Sequence, residues 1–355
     1  MTSLTKVSIV SRKVVRYGIY LLIFGVILRF VILFGKDIYY KLNPVKPLPP
    51  EVSYGQLEKI PFPIKESPVK LTYELILPDG ELPNFPVQVY IYKMPKVHTN
   101  IQVLDSARNK ASSLGFDPNG TELVESVYVF EHQEEPSRLT MNIVSGIFSI
   151  SYDVRANLSI LGRFPPSSDE AINTLSSLLG RANSFPEDLT GPVKHRYLKI
   201  EETGFKDAIS QSDADVIKVN FYRKDYGEEI PSMTPNAVES NVWFYLGGSD
   251  RRQNPPIVGG EYHYYPINEN EKATYPIKTA QKAWEELQNG EGYIANLGNN
   301  DSNIIIRRVY LGYYDAGQYT PYFQPIVVFE GDNDFYAYVP AVEKQFYGND
   351  RESSE

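Results

Sequence analysis

Four histidines, His98, His132, His195 and His263, are the residues of this chain best suited to acid–base or metal chemistry, and they stand far apart. None has a second ligand or an acid at helical spacing, so no local metal motif forms. Cysteine is absent, which excludes disulfides, thiolate catalysis, zinc–thiolate sites and iron–sulfur clusters. Ser67-Pro68-Val69-Lys70 matches a serine–lysine acylation pattern, but its proline-rich surroundings do not open the helix that such chemistry needs. Asp332-Asn333-Asp334, after Gly331, begins like a calcium loop without the later ligands or the closing glutamate. These residue types favour a turn between two strands instead. The sequence therefore predicts no enzyme, no cofactor and no metal site.

Tyrosine is the remaining chemical oddity, with 27 in 355 residues, enough to build rows of rings on neighbouring strands. Tyr262, Tyr264, Tyr265 and Tyr275 cluster, and so do Tyr310, Tyr313, Tyr314, Tyr319 and Tyr322. Side chains alternate across a strand, so Tyr310 and Tyr314 share one face and Tyr313 takes the other. Such rings either pack half-buried strands or form a surface that stacks on glycan rings or anchors a protein partner. On the second reading the partner-binding residues are Tyr262, Tyr264, Tyr265, Tyr313 and Tyr319, together with Arg29.

Arg29 belongs to the element that decides where this chemistry takes place. From Tyr17 to Gly35 runs an apolar stretch in which Arg29 is the only charge. As a helix it reaches roughly 28 Å, close to the ~30 Å hydrocarbon core of a bilayer. Lys6, Arg12, Lys13 and Arg16 precede it without any acidic residue, which predicts a cytoplasmic N-terminal tail over residues 1–16. No small-residue cleavage site follows, so 17–35 reads as an uncleaved signal anchor with the remainder extracytoplasmic at the cell membrane. Arg29 either snorkels to the outer headgroups or meets a partner helix. Removing the five positive charges of the first 35 residues from the net −9 leaves −14 on the rest. An ectodomain this acidic repels phosphate backbones, which argues against nucleic-acid binding.

Residues 43–68 hold seven prolines and read as an extended stalk. Beyond it, strand-like runs alternate with three helical patterns. The first helix carries Leu104, Ala107, Ala111 and Leu114 on one face and stops at Gly115. The second has a Ser167/Glu170 capping box, a stripe of Ile172, Leu175, Leu178 and Leu179, and Gly180 at its end. Thr279 caps the third, whose inward face is Ala280, Ala283, Trp284 and Leu287. Strands are expected at Val87–Tyr92, Ser126–Glu131, Leu139–Tyr152, His195–Ile200, Val216–Tyr222, Val242–Leu246, Ile304–Tyr314, Tyr322–Glu330 and Phe335–Val339. Meandering strands beside a few short helices predict an α+β ectodomain of antiparallel sheets. Two modules, 69–190 and 191–345, are expected, with a disordered acidic tail at 346–355. Three glycosylation sequons, at Asn119, Asn157 and Asn300, are accidental in a bacterial protein.

The segment from Thr279 to Ala341 has a further pattern. Thr279-Ala280-Gln281-Lys282-Ala283-Trp284-Glu285-Glu286-Leu287 precedes Arg308-Val309-Tyr310-Leu311-Gly312-Tyr313-Tyr314, then Gln324-Pro325-Ile326-Val327-Val328-Phe329 and Tyr336-Ala337-Tyr338-Val339-Pro340-Ala341. This order resembles the YycI/YycH-type extracytoplasmic regulators and the PepSY-like modules related to them. The resemblance implies a non-enzymatic regulator that touches a membrane or envelope protein such as a sensor kinase. The alternative is a cell-wall or glycan-binding module that uses the tyrosine-rich strands.

Overall fold

The computed structural model describes residues 3–42, 48–64, 71–96, 102–202, 204–227, 229–249, 255–300 and 302–349. His98, the Ser67–Lys70 quartet, part of the proline-rich segment and residues 350–355 lie outside them. The chain divides into two compact units, the first running to Pro49 and the second beginning at Pro50.

The first unit is a helix, α1 (Ser3–Leu42), 40 residues long. No proline interrupts the sequence before Pro44, so the helix continues past both ends of the apolar run. Within it, Ser11–Gly35 contains an 18-residue window with mean hydropathy 2.4, none of which is buried inside the protein. Among the described residues it is the one helix long and apolar enough to cross a bilayer. At ~1.5 Å per residue it spans ~38 Å, more than the ~30 Å core. One such helix followed by a folded unit is the make-up of a single-pass membrane protein.

The second unit opens with β1 (Leu57–Glu58), β2 (Thr72–Leu75) and β3 (Gln88–Lys93), then α2 (Val103–Ser113). Next come β4 (Thr121–Val124), β5 (Val127–Glu131), β6 (Ser137–Asn142), β7 (Phe148–Tyr152) and α3 (Ser168–Arg181). β8 (Val193–Glu201), β9 (Gly204–Asp207), β10 (Val216–Phe221), β11 (Ser232–Met233), β12 (Val242–Gly247), β13 (Ile257–Tyr262) and β14 (Asn268–Pro276) follow. The last elements are α4 (Ala280–Gln288), β15 (Tyr293–Asn296), β16 (Asn303–Tyr314), β17 (Tyr322–Gly331), β18 (Phe335–Pro340) and β19 (Tyr347–Asn349).

The fold is α+β, as expected, with two large sheets. A nine-stranded antiparallel sheet has the order β4-β5-β6-β7-β13-β12-β10-β8-β9. An eight-stranded sheet centres on β16, β17 and β18, with β14 and β3 extending it through β17 and with β2 and β11 parallel to β16. The expected boundary near Gly191 falls inside the territory of the nine-stranded sheet, because β13 returns to pair with β7. The eight-stranded sheet in turn collects β2 and β3 from before α2. Such long-range pairing leaves no local signal in the sequence.

One face of the nine-stranded sheet is the larger core. Alternate residues Leu139 and Met141, Phe148 and Ile150, Ile217, Val219 and Phe221, and Val242, Phe244 and Leu246 point to it. α2 covers it with Ala107 and Ala111, and α3 with Ala171, Leu175 and Leu179. The Ser167/Glu170 capping box of α3 is formed. β13 was not foreseen, because its Gly259-Gly260 pair reads as a turn. A Cβ on Gly260 would lie 2.1 Å from the Phe244 ring, so the bare backbone is what lets β13 lie against β12.

β17 is buried along nearly its whole length because both of its faces are covered. Val327 and Phe329 meet α4, while Ile326 and Val328 meet Tyr293, Tyr314 and Tyr338 on the other side. The Thr279 hydroxyl accepts the Lys282 N–H at 3.3 Å to start α4, and Gly290 takes the left-handed conformation that ends it. Gly331-Asp332-Asn333-Asp334 is the turn between β17 and β18, with Asn333 and Asp334 at positive φ.

The described part of the proline-rich segment is not a free stalk. β1 pairs in parallel with β19, Leu57 is fully buried, and Ile60 is 6% exposed. Gln324 Nε2 donates to the Glu58 carbonyl at 2.9 Å, and Tyr54 stacks on Tyr322 at 4.9 Å. Composition predicts extension, but Tyr54, Leu57, Ile60 and Phe62 between the prolines supply a docking face. Residues 347–349, expected in the disordered tail, are the strand that holds this strap. Leu57→Ala should destabilise the unit by about 2 kcal/mol, at the low end for a buried leucine because a two-residue strand can readjust. Urea denaturation of a fragment beginning at Pro50 measures it, and an unchanged midpoint would mean that the strap is not seated.

Candidate functional site

The structure separates the residues expected to bind a partner. Tyr262, Tyr265 and Tyr313 are only 5%, 8% and 1% exposed, and Tyr264 and Tyr319 are half-buried, so these rings do not form a surface row. Tyr313 stacks on Phe323 at 5.0 Å and donates to the Tyr90 carbonyl, while Tyr262 stacks on Phe148 at 4.8 Å. The reason is their position at the inner faces and the meeting ends of two sheets, where a large ring with a polar tip fills space and finds an acceptor. Arg29 lies within the apolar part of α1. Among the described residues no group of three or more histidine, aspartate or glutamate side chains could hold a metal ion. Lys110 of α2 rests over the Phe148 and Tyr262 rings at 5.8 and 5.6 Å, and burial brings its ammonium pKa down to about 8.

The charged groups that do converge lie where the two sheets meet. Arg223, just after β10 and 4% exposed, donates from Nε to Asp315 at 2.6 Å and from Nη2 to the Tyr265 carbonyl at 2.6 Å. Its Nη1 pairs with Asp188 of the loop between α3 and β8. Asp188 also accepts the Tyr226 hydroxyl at 2.8 Å and the Tyr264 hydroxyl at 2.7 Å, and the Tyr264 ring lies 4.2 Å from the guanidinium carbon. Burial alone would lower the Arg223 pKa, but Asp315 and then Asp188 reverse this and hold it well above its ordinary value. The arginine is therefore a fixed cation with all three of its nitrogens donating, and the two carboxylates come from opposite sides. Asp315 follows β16 of the eight-stranded sheet, and Asp188 sits against the nine-stranded one. This is a structural clasp.

Around the clasp, the Asn241 amide donates to the Asp315 carbonyl at 2.8 Å, and His263 contacts both Glu261 and the Gly317 carbonyl. A cavity of about 10 Å³ lies among Tyr222, Ser232, Asn241 and His263, no larger than one water needs and far too small for a substrate. The hydroxyls of Tyr222 and Ser232 are buried there without a hydrogen-bond partner among the described residues. Burial raises the Tyr222 pKa to about 12, so it stays a neutral phenol. The geometry of the clasp positions and packs its side chains.

The sequence reading missed Arg223, Asp188 and Asp315, although one signal was available. Arg223 comes two residues after the wholly buried strand Val216–Phe221, so it is carried inward and needs partners there. Which carboxylates answer it depends on pairing between distant parts of the chain.

No family model matches this chain, and no curated protein matches it. Solved structures similar to this chain include the following two. The Bacillus megaterium YpeB C-terminal domain is 10% identical with a TM-score of 0.30, over 71% of this chain and 96% of that one. An uncharacterized protein from Eubacterium rectale is 9% identical with a TM-score of 0.32, over 71% of this chain and 82% of that one. At such scores the likeness carries no functional argument. The resemblance to YycI/YycH-type regulators rests on the sequence between Thr279 and Ala341 alone.

Proposed function

We propose that the chain is a membrane-anchored extracytoplasmic binding protein that regulates or adapts an envelope or sensor-kinase component through contact and not through catalysis. The observation that carries this reading is the exposed apolar helix Ser11–Gly35 joined to a separate compact unit beginning at Pro50. The basic residues before the span favour a cytoplasmic N-terminus. The converging charged side chains of the folded unit bind each other, which suits a rigid scaffold better than a reaction centre. The glycan-binding alternative rested on tyrosine rows, and those rings are engaged in packing.

A reporter enzyme fused after Glu355 is expected to be active only when it requires export, and a fusion active in the cytoplasm overturns the orientation. Crosslinking in intact membranes, followed by purification of the full chain, should recover a defined membrane or envelope protein. Recovery of wall glycan alone would return the reading to a surface module.

A further inference from the structure

His263 stands just beyond β13, between the two sheets. Its Nε2 lies 2.8 Å from Glu261 Oε2, and its Nδ1 lies 3.2 Å from the Gly317 carbonyl oxygen. Both neighbours accept hydrogen bonds and cannot donate them. A neutral imidazole has one N–H and one lone pair; the carboxylate is the stronger acceptor and takes the single N–H, which sets lone pair against lone pair at the Gly317 carbonyl. Only the imidazolium donates to both.

The two acceptors belong to different sheets. Glu261 is on β13 of the nine-stranded sheet, whereas Gly317 lies in the loop joining β16 to β17 of the eight-stranded sheet. We propose that His263 is a proton-gated pin that ties the 315–321 loop to the nine-stranded sheet when doubly protonated and frees that contact when neutral.

The charged groups around it agree with this role. Glu261 faces the ring from its own strand, and Asp315 faces it from the loop. Asp315 is itself bound by Arg223, which also holds Asp188, so that carboxylate is partly neutralised. The His263 pKa is raised, first by the Glu261 hydrogen bond, against the opposing effect of burial, with smaller help from the Gly317 carbonyl and Asp315. A raised folded-state pKa means that the stabilisation is complete below the ordinary histidine value of about 6.5 and is lost as pH rises through the folded value. The side chains of His263 and Glu261 are 40% and 37% exposed, so protons exchange freely and solvent screens the pair. One contact independent of pH, the Asn241 amide to the Asp315 carbonyl at 2.8 Å, keeps the sheets together beside the Arg223 clasp. Deprotonation therefore loosens the loop locally and does not part the sheets.

Hydrogen–deuterium exchange on the full chain in detergent tests this. Peptides covering 315–321 should lose protection roughly 5- to 10-fold between pH 5.5 and 8.5 after correction for intrinsic exchange, the scale of one charge-assisted hydrogen bond. In His263→Gln the same peptides should show a flat profile. Glu261→Gln leaves the histidine in place, and should move the midpoint to lower pH, which keeps the test decisive if His263→Gln fails to fold. Protection that is constant with pH in the wild type, or that falls equally in His263→Gln, overturns the proposal. So does an unmoved midpoint in Glu261→Gln.

Discussion

Replacing Arg223 by methionine is expected to destabilise the folded unit by about 3–5 kcal/mol, the range for removing one partner of a buried ion pair. The loss arises because two carboxylates stay behind. Asp315, 7% exposed at its side chain, loses the Arg223 guanidinium that binds it, while Asp188 retains the Tyr226 and Tyr264 hydroxyls among the described residues. The bare carboxylates would have to take up protons or draw in water, and either response opens the seam between the sheets. The same argument predicts a rescue. Arg223→Met combined with Asp188→Asn and Asp315→Asn removes the stranded charges and should recover more than half of the loss, since neutral replacement of a whole buried cluster is often close to harmless. Urea denaturation of the fragment from Pro50 checks both arms. A single substitution costing under ~1 kcal/mol would show that the clasp is wet and not structural.

Trp284→Ala should cost a similar ~3–5 kcal/mol through a different mechanism, the cavity left by a large aromatic. Trp284 is 8% exposed and fixes α4 on the eight-stranded sheet by touching Tyr73 at 6.2 Å and Phe329 at 5.9 Å between ring centres. Its neighbours Ala280 and Ala283 are small, so α4 lies close to the sheet and nothing nearby can swing in to fill the space. Trp284→Phe keeps part of the contact and should lose less. Chemical denaturation followed by far-ultraviolet circular dichroism gives both values, and the remaining Trp243 supplies a fluorescence signal in the other sheet. A loss below ~1 kcal/mol for Trp284→Ala would mean that the ring does not pack.

The two substitutions probe elements that differ in how far they could be read from sequence. The phase of α4 was legible, because Ala280, Ala283, Trp284 and Leu287 recur at helical spacing and Thr279 and Gly290 punctuate the ends. The same holds for the α3 capping box, for the buried stripe of α2, and for β10, β12, β16, β17 and β18, where runs of β-branched and aromatic residues match strands closely. The apolar helix was legible from length and composition alone, although its helical conformation extends beyond the predicted span at both ends.

β13 and β14 were not legible, for opposite reasons. Gly259-Gly260 imitates a turn but serves close approach to the Phe244 and Tyr245 rings. Asn268–Pro276 is polar over its first half and earns strand geometry only by pairing with β3. The proline-rich strap was misjudged because proline content reports local extension, and docking depends on whether a matching groove exists elsewhere. The tyrosines stayed between two readings for a related reason: the residue type suits a wet surface and a packed seam equally well, and burial at the seam decides for packing.

What the sequence by itself determined was therefore local: helix caps, helix phases, central strands, an apolar span, and the absence of cysteine chemistry. Those features depend on residues a few positions apart, whose spacing is set by the helix and strand repeats. What only the tertiary structure decided was which distant segments meet. β7 with β13, β1 with β19, Arg223 with Asp188 and Asp315, and His263 with the Gly317 carbonyl all join residues separated by long stretches of chain. Such contacts follow from how two whole sheets bury their apolar faces at once, and no single window of sequence contains that information.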